Sequence, residues 1–187
     1  MPADDCGHHT EPAPGERGAY DLGSGELFVV AALRAWVAPI RDPDGTHPDW
    51  QALFRMAGVA GEAAHAFDRL MGIVARSAIR LLDVRCCRCP GVGADEEAML
   101  RIIGALQAGE ALSAIEDLID WLPQDALTPA LQGAQRFATL TAAAGLRLPF
   151  TMSPAQSAPA CLPGGAADSD LRTLGSSGHR ARGRVLH

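Results

Sequence analysis

Lysine and asparagine are absent from the 187-residue chain, and all sixteen basic side chains are arginine. Without an ε-amino group there is no Schiff-base chemistry, no phosphate-loop NTPase with its Gly-Lys-Ser/Thr lysine and no protein kinase, because each needs an ammonium at a fixed place. Tyrosine occurs once, at Tyr20, and aromatic residues make up only 5% of the chain. Long apolar runs are missing as well. The longest, Leu27 to Leu33, stops at Arg34, far short of the roughly 20 residues that cross a bilayer. The N-terminus sets Asp4, Asp5, Glu11 and Glu16 against Arg17 alone, the opposite of a secretory signal. No membrane association is expected, and the expected location is cytoplasmic.

What is present is a chain of 48% apolar residues with a formal charge of −6, enough for one ordinary domain with tails. Its bias toward Ala, Arg, Gly and Pro is what GC-rich codons produce, so arginine richness alone carries no mechanism. The five cysteines are an odd number. Cys86, Cys87 and Cys89 lie too close in sequence for an ordinary disulfide framework, so reduced thiols are expected.

Residues 1–23 are acidic and rich in Pro and Gly, and residues 150–187 are rich in Pro, Gly, Ala and Ser with Arg180, Arg182 and Arg184 at the end. Both flanks read as disordered. The segment 24–149 reads as a single all-α bundle of five or six helices.

In that segment Ser24 is placed to cap a first helix that stops before Pro39. A short second helix starts near Pro48 and ends at Gly58. The third, about Ala60 to Asp83, carries core residues Phe67, Leu70, Met71, Val74, Ile79, Leu81 and Leu82 at helical spacing, and an outer stripe of His65, Arg69, Arg76, Arg80 and Asp83. Gly93 serves as N-cap of a fourth, with Asp95, Glu96 and Glu97 against the positive end of its dipole. Gly109 separates it from a fifth that ends at Pro123. Thr128-Pro129 signals the start of a sixth, which ends at Gly145. No stretch alternates as a strand does.

The most unusual local feature is Arg85-Cys-Cys-Arg-Cys-Pro-Gly91. Its thiols, between cationic neighbours that favour thiolate, make Cys86, Cys87 and Cys89 candidate ligands for zinc or an iron–sulfur cluster. A closed site needs a fourth ligand, and the spacing does not choose among His65, His47 and a second subunit. A thioredoxin-type reading is weakened because Pro90 and Gly91 intervene before the helix. Glu62 and His65 make one Glu-x-x-His step, half of what a di-iron bundle requires, and read as solvated helix surface. Gly91-Val-Gly93 is not a dinucleotide fingerprint, since three acids follow it and no strand precedes it. Gly-x-Ser-x-Gly is absent and no Ser-His-Asp set assembles.

Charge is segregated. From Arg69 to Arg88 there are five arginines and one acid, and from Asp95 to Asp125 eight acids and one arginine. Arg69, Arg76, Arg80, Arg85 and Arg88 are therefore candidate partner-binding residues. The plainer reading sets them against the acidic edges of the fourth and fifth helices, for a modest energy per exposed pair. Nucleic acid is not an expected partner, because no aromatics interleave the arginines.

The run Cys86-Cys-Arg-Cys-Pro-Gly-Val-Gly-Ala-Asp-Glu-Glu-Ala-Met-Leu100, followed by Leu106-Gln-Ala-Gly109, resembles a family of short all-helical bacterial proteins of unknown function. The resemblance spans about Trp50 to Pro149. It implies a helical fold and transfers no activity and no catalytic residue. The expected class is a non-enzymatic accessory or regulatory binding module with no required cofactor, whose partner is a protein or a second copy. The alternative is a thiol-ligated metal (zinc or iron–sulfur) or redox protein.

Overall fold

The computed structural model describes residues 15–150. Of the tails expected at 1–23 and 150–187, residues 1–14 and 151–187 lie outside the described residues. Those described form an all-α bundle: α1 (Ser24–Arg41), α2 (Trp50–Met56), α3 (Gly61–Ser77), α4 (Ala94–Ala108), α5 (Ala111–Ile119) and α6 (Gln124–Ala143), with no strand among them. A 3-10 turn, Ala19–Asp21, precedes α1.

The core follows from the apolar stripes. α3 packs most extensively on α6, α4 against α5 and α6, and α1 against α2 and α4. At Gly133 of α6 the first of these crossings is close: a β-carbon there would just touch Leu70 at 3.4 Å and the Ala66 carbonyl at 3.5 Å, leaving no room for a larger side chain. Four of the five phenylalanines meet at this junction. Phe54 lies 5.0 Å from Phe28 and 5.8 Å from Phe67, and Phe67 lies 5.1 Å from Phe137, ring centre to ring centre. Burying each such ring contributes about 1.5–3 kcal/mol, so this cluster joins α1, α2, α3 and α6 into one unit.

Helix boundaries depart from expectation where tertiary contacts outweigh local rules. α1 is capped by Gly23 rather than Ser24, with the Glu26 carboxylate accepting the Gly23 N–H at 2.8 Å. It continues through Pro39 to Arg41, whose guanidinium donates to the Val84 carbonyl at 2.6 Å. α6 begins at Gln124 and takes Pro129 into its second turn. Its core face already starts at Ala126 and Ala130, and the carbonyl that Pro129 leaves unbonded belongs to exposed Asp125.

α3 is shorter than its apolar period suggests. It stops at Ser77, Ala78 turns extended (φ −58°, ψ 130°), and the Ile79 N–H donates to the Trp121 carbonyl at 2.9 Å. Ile79 and Leu81, expected in the core, are 62% and 96% exposed. Residues 15–23, expected to be disordered, are instead held against the bundle. Gly18 bridges antiparallel to Gly91, the Ala19 N–H donates to the Pro90 carbonyl at 2.6 Å, and Arg17 accepts from the Val92 N–H at 2.9 Å.

Candidate functional site

Residues 78–93 join α3 to α4 without any helix or strand. Connections this long inside a compact domain are uncommon, and ordered ones tend to carry function. Their backbone groups need partners, and two buried side-chain systems provide them.

One is Arg34 of α1 with Glu96 of α4. Arg34 donates to both Glu96 carboxylate oxygens at 2.7 Å, to the Cys89 carbonyl at 2.7 Å and to the Gly91 carbonyl at 2.6 Å. Glu96 in turn accepts the Arg85 N–H at 3.0 Å and the Gly93 N–H at 2.9 Å. The other is Asp95. Its carboxylate accepts twice from Arg80, at 2.5 and 2.9 Å, once from the Trp121 indole N–H at 2.9 Å, and once from the Asp83 N–H at 2.6 Å. Burial pushes the Asp95 carboxyl up, but the hydrogen bonds from Arg80, Asp83 and Trp121, with the Arg80 charge, outweigh it and hold it below the usual carboxylate range. The Asp95 hydrogen bond raises Arg80. The acids expected only to complement the helix dipole therefore hold the loop by its backbone. The N-terminus of α4 is itself occupied, because Glu96 takes the Gly93 N–H and Asp83, from the loop, takes the Ala94 N–H.

The loop they hold carries the cysteines, and here the expectation of reduced thiols is corrected. Cys86 and Cys89 are joined by a disulfide. The Cys89 N–H donates to the Cys86 carbonyl at 3.1 Å, and this turn brings the two α-carbons to 5.3 Å, within the range a disulfide spans. Sequence proximity, taken as an obstacle, is overcome by the turn. Cys87 lies between them, exposed and outside the bond. The zinc or iron–sulfur ligand set of Cys86, Cys87 and Cys89 is thereby reduced, since two of its sulfurs are bonded to each other. His47 hydrogen-bonds the Asp42 carbonyl, and His65 is exposed on α3. Among the described residues, no group of three or more His, Cys, Asp or Glu is placed to hold a metal ion.

The five candidate arginines do not form one stripe, because α3 ends before Arg80. Arg69 and Arg76 are exposed on α3 and Arg88 is exposed in the loop, while Arg80 binds Asp95 and the Asp120 carbonyl. Arg85 pairs with Glu16 at 3.0 Å and Asp83 at 3.5 Å. The expected attraction between the basic and acidic halves is thus realised through Arg80 and the buried base of the loop. Glu62 pairs with Arg136, which makes the Glu-x-x-His step helix surface.

One apolar stripe of the bundle lies outside the core. On α5, Ala114 and Leu118 face inward, while Leu112 and Ile119, two turns apart, are 76% and 51% exposed, with half-buried Ile115 between them. Exposed Ile79 and Leu81 flank Arg80, and this stretch is tied to the turn after α5 by the Arg80 guanidinium donating to the Asp120 carbonyl and the Ile79 N–H donating to the Trp121 carbonyl. The signal was available: Leu112, Ile115 and Ile119 recur at i, i+3 and i+7 beside a separate Ala114–Leu118 stripe.

No protein-family model matches the chain, and neither a curated protein nor a solved structure matches it. No described helix is long and apolar enough to cross a membrane.

Proposed function

We propose that the protein is a non-enzymatic accessory binding module whose docking surface is the outer face of α5 together with the exposed start of the 78–93 connection. The observation that carries this reading is the second apolar stripe on α5, Leu112, Ile115 and Ile119, turned away from the core. A surface helix of a self-sufficient domain needs one apolar stripe, and a contiguous exposed apolar patch marks an interaction site. Exposed acids border the stripe on its own helix, Glu116 within α5 and Asp120 directly after it. The occupant of the patch is therefore a cationic amphipathic helix of another protein, with apolar anchors every three to four residues and Arg or Lys at its flanks. Such a docked helix requires no reactive group.

A cytoplasmic location and kinship with short helical bacterial proteins belong to the same proposal. The kinship rests on residues 86–100 and 106–109 alone. The rival reading, a thiol-ligated metal protein, draws less support because a disulfide sulfur is not a thiolate ligand.

The test titrates the full chain with a labelled synthetic helical peptide carrying Leu at i, i+4 and i+7 and Lys at both flanks, read by fluorescence anisotropy. Saturable binding is expected, lost when Glu replaces Lys in the peptide and lost in the Leu112→Asp, Ile119→Asp variant. Binding unaffected by that variant, or none at all, overturns the proposal. So does a dimer in sedimentation that the same variant dissociates, since the occupant would then be a second copy.

A further inference from the structure

We infer that the Cys86–Cys89 bond is a reversible redox site whose co-substrate is a dithiol, and that its state sets how firmly residues 16–19 are held on the bundle. This inference is independent of the docking surface on α5.

The two cysteines sit at the outer end of a loop whose inner end is immobilised. Arg34 and Glu96 fix the carbonyls of Cys89 and Gly91 and the amides of Arg85 and Gly93 from within the protein. The disulfide is half-exposed between exposed Arg85, Cys87 and Arg88, so a thiol can reach it without opening the bundle. In a reducing compartment, which the cytoplasmic location put forward under the proposed function would supply, disulfides are transient and catalytic or redox-sensing rather than permanent.

The N-terminal segment is attached to the residues directly after Cys89. Ala19 donates to the Pro90 carbonyl, Gly18 bridges Gly91, Val92 donates to Arg17, and Glu16 pairs with Arg85. Gly91 is packed so closely on the Glu16 carboxylate that a side chain there would overlap it. The cross-link holds Cys89, and through it Pro90, in the position that offers the Ala19 acceptor. Without it, Arg34 alone positions the Cys89 carbonyl.

The chemistry is thiol–disulfide exchange. A thiolate of the incoming dithiol attacks one sulfur of the pair, forming a mixed disulfide and releasing the other cysteine as thiolate. The second thiol of the co-substrate, deprotonated to water, then displaces the first cysteine. Two electrons pass to Cys86 and Cys89, the co-substrate leaves as its own disulfide, and the released thiolates equilibrate with water.

The experiment uses the full chain, oxidised by air and then equilibrated with dithiothreitol. Alkylation and peptide mass measurement should show two masked thiols within 86–89 before reduction and none after, reversibly. Cys87→Ser should retain the masked pair, whereas Cys86→Ser should abolish it. Amide hydrogen exchange at Ala19 and Val92 should accelerate about tenfold on reduction, through loss of the constraint on a short closed loop. Exchange within α3 and α6 should not change. Cys86→Ser should show the fast exchange at Ala19 under both conditions. The inference is overturned if no Cys86–Cys89 link forms on oxidation, if dithiothreitol fails to open it in the folded protein, or if exchange at Ala19 is the same in both states.

Discussion

Arg34 and Glu96, 62 positions apart in sequence, meet through two 2.7 Å hydrogen bonds, with side chains 5% and 0% exposed. A buried ion pair of this kind is not by itself stabilising, because desolvating both charges offsets their attraction. What distinguishes this pair is its remaining bonds, which satisfy two carbonyls and two amides of a connection that has no ladder of its own.

Removing one partner should therefore be severe. Arg34→Met leaves Glu96 charged in the interior, and the expected loss is about 3–5 kcal/mol in urea unfolding. The double variant Arg34→Met, Glu96→Leu separates two accounts. A simple ion pair would be replaced at little cost, whereas a backbone clamp leaves four main-chain groups unbonded. We expect the double variant to remain at least about 3 kcal/mol below the parent, and near-parental stability would refute the clamp.

Acid should act through Asp95. Its folded-state carboxyl lies below the ordinary value of 3.8, so its contribution is fully present above that pH. As the pH falls below 3.8, the unfolded chain takes up the proton first, and the contribution disappears by the time the folded carboxyl is protonated. Asp95→Asn should unfold with a shallower dependence on pH below about 4, followed by circular dichroism across a pH series. An unchanged slope would mean that other carboxylates carry the acid response.

Trp121→Phe keeps most of the buried ring and removes the indole N–H bond to Asp95. The expected cost is about 1 kcal/mol by thermal unfolding. A loss several times larger would show that the ring's shape, rather than its N–H, is what the site requires.

Glycines offer a contrasting pair. Gly133→Val places branched carbon against Leu70 and the Ala66 carbonyl, forcing α3 and α6 apart at an expected cost of about 1–3 kcal/mol. Gly61→Ala, at the start of α3, meets nothing within 4 Å and should stabilise by about 0.4–1 kcal/mol. Equal effects at the two positions would contradict the close crossing.

The helical class, the N-cap at Gly93, the acidic first turn of α4 and the break at Gly109 were legible in the sequence, because periodicity and capping are local. Ile79 and Leu81 continued the period of α3 and were misplaced, since the contact that ends the helix comes from Trp121, more than forty residues on. Arg34 looked like the polar interruption of an apolar run; its partner Glu96 looked like one of three dipole-complementing acids. Neither stretch names the other, so the clamp could not be read from either. The disulfide was missed for a different reason, because a backbone turn, not spacing, brings Cys86 to Cys89. Residues 15–23 have the composition of a tail and are ordered by tertiary partners, the edge that Pro90 to Val92 offers together with Arg85 and Glu26.

Gln107 closes the other end of the bundle. Its amide nitrogen donates to the Leu146 carbonyl at 3.0 Å and its oxygen accepts the Leu148 N–H at 2.9 Å, while Gly104 and Gly25 make room for the backbone of Pro149 and Arg147. The folded unit therefore extends past α6. A chain cut after Gly145 would keep α1 to α6 yet uncover Gly104 and take the Leu146 and Leu148 partners from Gln107, so a shortened version intended for crystallisation should end no earlier than Phe150.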